Sequence, residues 1–134
     1  MIDKKEAVDA YKRLILHRMA SVGSLAPALF LQKIGLGKEF QMNTLVYQGD
    51  QFIPYAVRKA ANEPIEELQK YIQPWLTVDE AQFRITLNYK TEIPVDQEQF
   101  CEVLYIFDDL AVKWREIFEE HDRQDLVYVP SQSK

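Results

Sequence analysis

At 134 residues and 15.8 kDa, with 47% hydrophobic and 28% charged residues, the chain has the size and apolar content of one folded domain, which excludes a disordered protein. Its 4 Gly and 6 Pro exclude collagen-like and low-complexity classes, and its single Cys excludes a disulfide framework or a multi-Cys zinc module. The net charge of -5 is unevenly spread: residues 95–125 carry ten acids against three bases, a field that repels phosphate backbones and draws basic partners.

In chain order, residues 3–22 read as an amphipathic helix. Asp3 and Glu6 stand at capping-box spacing, and Ala7, Val8, Tyr11, Leu14, Ile15, Met19 and Val22 recur at three- and four-residue steps. Gly23 stops it, Ser24 can cap a second helix, and Leu25, Ala28, Leu29, Phe30, Leu31 and Ile34 make that helix apolar almost all round. Gly35 and Gly37 end it. Residues 43–48 predict a strand, Gly49-Asp50 a turn, and residues 51–53 a short return strand before Pro54. Residues 55–61 predict a short helix. Pro64 starts another, with Ile65, Leu68, Ile72 and Trp75 facing inward, and Pro74 ends or kinks it.

Phe83, Ile85, Leu87 and Tyr89 alternate with Arg84, Thr86, Asn88 and Lys90, the plainest strand signal in the chain. Residues 95–121 are the clearest helix. Phe100, Phe107 and Trp114 take position a of a heptad and Val103, Leu110 and Ile117 position d, with Leu104, Ala111 and Phe118 widening the stripe. Residues 126–129 predict a last strand and residues 130–134 a frayed tail. The fold class that follows is α+β. A helix-rich single domain spans residues 1–129, with a small, mostly antiparallel sheet of three or four short strands, helices packed on one face, and a long C-terminal amphipathic helix.

Residue chemistry offers little for catalysis. Gly35-Leu36-Gly37-Lys38 lacks the spacing and the following Ser/Thr of a phosphate loop and reads as a helix stop. Cys101 is flanked by Glu98 and Glu102, which oppose a thiolate, so it reads as a structural cysteine. His17 has no second metal ligand one helical turn away, and His121 has only Asp125, expected beyond the helix end, so His121 fits a helix C-terminus better than a metal site. The pairs Asp108-Asp109 and Glu119-Glu120 point about 100° apart on a helix and cannot converge on a substrate. Lys4, Lys5, Lys12, Arg13 and Arg18 form only a modest basic flank, diluted by Asp3, Glu6 and Asp9. No catalytic residue, cofactor site or metal site is therefore expected, and no nucleic-acid partner.

What stands out is the exterior of the long helix. Glu102, Asp109 and Glu116 occupy position c as a continuous acidic row, and Tyr105, Val112 and Glu119 lie beside them at position f. These six residues are the predicted partner-binding face: an apolar pair bordered by acids, suited to steering and holding a basic protein. The chain carries no stretch with the signature of a known family. The function expected is a non-enzymatic interaction module of the acidic, compact kind found among inhibitors, immunity proteins and secretion chaperones, in a bacterium or phage. An assembly subunit of a homo-oligomer or phage particle, and an enzyme using dispersed carboxylates, are the alternatives. The charged start is not a secretory leader, and the most apolar run, residues 25–36, is interrupted by Pro27, Gln32 and Lys33, short of a roughly 20-residue membrane span. A cytoplasmic location without membrane contact is expected.

Overall fold

The computed structural model describes residues 2–23, 27–63 and 72–132, and side chains as far as residue 123. Among the described residues, three helices and five strands follow one another in the order α1 (Lys4–Leu16), β1 (Met19–Val22), β2 (Leu29–Ile34), β3 (Glu39–Gln48), α2 (Tyr55–Ala61), β4 (Trp75–Asp79), β5 (Arg84–Glu92) and α3 (Gln97–Gln132). The strands form one fully antiparallel sheet in the order β1-β2-β3-β5-β4. This is the α+β class the sequence predicts, with five strands instead of three or four.

α1 begins where the capping-box spacing places it. The Asp3 carboxylate accepts from the Glu6 amide at 2.8 Å, and the Glu6 carboxylate accepts from the Asp3 amide at 3.2 Å. It ends at Leu16, six residues before the predicted end, because residues 19–22 join the sheet. The three-and-four spacing of Leu14, Ile15, Met19 and Val22 coincides there with a two-residue alternation, and strand pairing prevails. Lys33 supports this end: its amide donates to the Arg18 carbonyl at 2.8 Å, and its ammonium donates to the Ile15 carbonyl at 2.8 Å. One of the unpaired carbonyls of the last helical turn is thereby satisfied.

The apolar run expected to form a second helix is instead β2. Leu29 and Leu31 are buried, whereas Phe30 and Gln32 are exposed. A short apolar run satisfies both periods, and cross-strand pairing on both sides settles the matter. The glycine pair therefore ends a strand, not a helix. Gly35, Leu36 and Gly37 all take positive φ (57°, 62° and 82°) in a 3₁₀ turn that leads directly into β3. The predicted return strand at residues 51–53 is absent: Ile53 is buried and Phe52 exposed in a loop that feeds α2. Gly49 is required in that loop, since a Cβ there would lie 2.5 Å from the Phe52 carbonyl oxygen. Ile65 and Leu68 lie outside the described residues. Ile72 is buried, but Trp75 is not an inward helical residue. It opens β4 and is 40% exposed.

The β4–β5 hairpin is closed by Asp79, whose Oδ1 accepts from the amides of Ala81 at 3.0 Å and Gln82 at 3.2 Å. α3 runs through the segment predicted as a last strand and takes in residues 130–132 as well, so His121 lies well inside it and caps nothing. β-branched residues at 127 and 129 favour a strand in isolation, but a helix already nucleated adds one bond per residue.

The three helices lie on one face of the sheet. Phe40, Met42, Ile85 and Leu87 meet Phe100, Leu104, Phe107 and Phe118 from α3, while Ala7, Ala10 and Leu14 of α1 close the core. Phe100 sits between Tyr11 and Phe40, with ring centroids 4.8 and 5.4 Å away. Trp114 stacks on Phe118 at 5.2 Å, and Tyr47 meets Phe118 edge-on. The Tyr11 hydroxyl lies 2.9 and 3.0 Å from the carbonyls of Pro94 and Val95, fastening α1 to the approach of α3. The opposite face of the sheet carries no helix among the described residues.

Candidate functional site

The outer row of α3 is as acidic as the heptad predicts. Glu102, Asp109, Glu116 and Glu119 are all exposed, and Val112 is 39% exposed beside them. Glu116 reaches Lys113 at 3.9 Å and Glu119 reaches Arg123 at 3.6 Å, both solvent-exposed pairs. Such pairs neutralise little. Tyr105 is placed differently from its five companions. It is half-buried against the core, as is Ile106, and burial pushes its phenol pKa up.

Beneath this row Arg115 turns inward. Its Nε donates to the Leu45 carbonyl at 3.0 Å and its guanidinium to Thr44 Oγ1 at 2.8 Å, while Thr44 donates to the Ala28 carbonyl at 2.9 Å. The Leu45 carbonyl stands where the β3–β5 register shifts. Burial lowers the Arg115 pKa. Elsewhere, Arg58 pairs with Glu80 and holds its carboxyl below the usual range through their hydrogen bond.

A second surface escapes the sequence reading. Ile15 and Leu16 at the end of α1, Met19 on β1 and Phe30 on β2 are 47%, 76%, 63% and 50% exposed. The register brings the last two together. Met19 opposes Gln32, two residues from Phe30 on the same outward face, so the two side chains are diagonal neighbours. β1 is an edge strand. Because the Arg18 carbonyl accepts from Lys33, Arg18 and Ala20 turn their backbone groups toward β2, and Met19 and Ser21 turn theirs outward. The available signal was the alternation of Leu29, Phe30, Leu31 and Gln32, hidden while the segment read as a helix.

The reactive side chains do not assemble into a catalytic constellation. Cys101 is buried, and burial raises its thiol pKa, with Glu98 adding to the rise. His17 is the exposed C-cap residue of α1, and His121 lies far along α3. Among the described residues no group of three or more His, Cys, Asp or Glu is placed to hold a metal ion. No helix there is long and apolar enough to cross a membrane.

No protein-family model matches the sequence, and no curated protein matches it. Solved structures do share its fold. A chain of the ExsC–ExsE complex superposes with a TM-score of 0.59 at 15% identity, over 86% of this chain and 93% of that one. A chain of the HopA1–SchA chaperone–effector complex superposes at 0.57 and 14% identity, over 84% and 92%. The ExoU–SpcU heterodimer of the Pseudomonas aeruginosa type III secretion system is a looser match, at 0.47 and 17% identity over 80% and 79%. For the first two of these, at such identities, the likeness establishes a common fold and nothing beyond it.

Proposed function

We propose that this chain is a chaperone-like protein-interaction module that holds a segment of an effector polypeptide, of the kind handled in type III secretion, in the bacterial cytoplasm. The observation that carries the reading is the pair Met19 and Phe30, exposed as diagonal neighbours on the outward face of the sheet at an edge strand with outward backbone groups, with Ile15 and Leu16 exposed at the end of α1 that leads into that strand. Exposed strand edges are templates for an added strand, and apolar side chains beside them supply the anchoring pockets of such recognition. The fold shared with a chaperone–effector complex supports the same class. Burying one such large side chain contributes roughly 1.5–3 kcal/mol before ordering costs.

A second docking surface is supported by the acidic exterior of α3. There Glu102, Asp109, Glu116 and Glu119, with Val112 and the partly covered Tyr105, would engage a basic partner by electrostatic steering. One experiment separates the two. The chain is used to capture partners from its host, alongside Met19→Glu/Phe30→Glu and Glu102→Lys/Asp109→Lys/Glu116→Lys variants of confirmed fold. Loss of a specific captured protein in the first variant, with protection of the β1 amides from hydrogen exchange in the complex, supports the corner. Loss only in the second assigns binding to α3. Identical capture by all three chains would refute both surfaces.

A further inference from the structure

Met19 and Phe30 stand at the border of a face that turns polar toward the middle of the sheet. By register, the residues of β3 opposite Phe30 and Gln32 are Asn43 and Gln41, and opposite those on β5 stand Asn88 and Lys90. An apolar contact for Phe30 therefore has to come from the side of β1. On that side Phe30 is opposite Ser21, with Met19 diagonal to it. Because the Arg18 carbonyl accepts from the Lys33 amide, the pairs Met19–Gln32 and Ser21–Phe30 are the non-hydrogen-bonded ones, whose side chains stand closest. Ser21 is exposed and short, whereas Met19 and Phe30 are long and 63% and 50% exposed. The three make a notch with Ser21 as its floor and Phe30 and Met19 as its walls. It opens onto the outer edge of β1, which carries no further strand among the described residues.

We infer that Ser21 is a specificity-determining residue: the strand held at this edge carries, opposite Ser21, a large apolar side chain that crosses the serine and lies on Phe30. The inference rests on the chaperone reading above. A strand added to β1 pairs with the outward amides and carbonyls of Met19 and Ser21, and its residues opposite those two share their face with Phe30. Neighbouring strands lie about 4.8 Å apart, which sets the added backbone roughly 10 Å from that of Phe30. Two large side chains, one from each strand, meet across that distance over a short residue and are kept apart by a bulky one. A side chain opposite Met19 is stopped at the wall of the notch. One opposite Ala20 points to the other face of the sheet and reaches neither Phe30 nor Met19. The notch thus selects one position of the bound strand by size.

Short extended peptides, identical except for one central guest residue (Ala, Leu or Phe), test this on the full-length chain. They are titrated into isotope-labelled protein, and dissociation constants are read from the backbone amide shifts, which also report where the peptide lies. Filling the notch gives the Leu and Phe guests about tenfold tighter binding than Ala, with the largest shifts at Met19 and Ser21. A larger guest gains on any apolar surface, so the deciding variant is Phe30→Ala, at an exposed residue one strand removed from the peptide. There the preference for Leu over Ala falls to about threefold or less, while binding of the Ala guest changes by less than about twofold. Ser21→Leu, at an exposed position, raises the floor, and the guest preference then no longer depends on Phe30. Equal binding of the three guests to the parent, or a preference that survives Phe30→Ala undiminished, overturns the inference and leaves strand addition at β1 intact. Absence of amide shifts at Met19 and Ser21 with every peptide overturns both the inference and the strand-edge reading on which it rests.

Discussion

The apolar corner at β1 and β2 and the acidic exterior of α3 lie on one small domain and are built in opposite ways. At the corner, large apolar side chains are exposed at the rim of a sheet, on a strand whose outer edge is unpaired among the described residues. On α3, charge is continuous and, among the described side chains, Val112 is the one large apolar residue that is exposed, on a helix whose backbone bonds are already made. The first arrangement can bury area and add hydrogen bonds. The second can steer a partner but offers little to hold it.

The comparison depends on α3 being a core element on one side and solvent-facing on the other, and that contrast gives the largest predicted effect. Trp114→Ala, at a residue 3% exposed and stacked on Phe118, should cost about 3–5 kcal/mol in a denaturant melt. A loss under about 1 kcal/mol would mean that the inner face of α3 is not packed as described. Next in size is Arg115→Met. It strips the Leu45 carbonyl and Thr44 hydroxyl of their donor and should cost about 1–3 kcal/mol, with faster amide exchange in β3 near Leu45. If that variant is as stable as the parent, the guanidinium is not what ties α3 to the sheet. Asp3→Ala removes the N-cap of α1 and should cost about 1 kcal/mol, leaving corner binding intact because the cap stands at the other end of the helix.

Legibility in the sequence followed the same division. α3 was readable because its buried residues repeat over five turns, from Phe100 to Phe118, and no other structure shares that period. β5 was readable because Ile85 and Leu87 alternate with polar partners. β1 and β2 were not. Met19–Val22 continues a helical spacing, and Leu29–Ile34 is apolar on both faces of its strand, so local pattern could not choose. Pairing with β3, a contact distant in sequence, made the choice. The apolar corner was illegible for that reason. Residues assigned to the inside of two helices stand instead on the outward side of a sheet. The acidic row was legible because it needs only the helix period, whereas the position of Tyr105 was not, since what lies beside position f is decided by packing.

Among the exposed residues, stability should barely move while binding changes. Met19→Glu/Phe30→Glu removes side chains that are 63% and 50% exposed, so the unfolding free energy should shift by less than about 1 kcal/mol. Peptide binding at the corner should fall below detection. A large loss of stability would show that both side chains belong to the core, and the corner would cease to be a candidate.

The smallest effect is expected for Glu102→Gln/Asp109→Gln/Glu116→Gln. These carboxylates are exposed, and among the described residues only Glu116 of the three has an ion-pair partner, at 3.9 Å. Their removal should change stability by no more than about 0.5 kcal/mol. Its direction is informative. With ten acids crowded into residues 95–125, neutralising three relieves like-charge repulsion, so the sign should be stabilising at low salt and vanish as salt is added. A destabilisation that persists in high salt would mean that the row is engaged in local structure and is not a free electrostatic surface. The α3 exterior would then lose its claim to a basic partner, while the corner, which shares none of these residues, would keep its own.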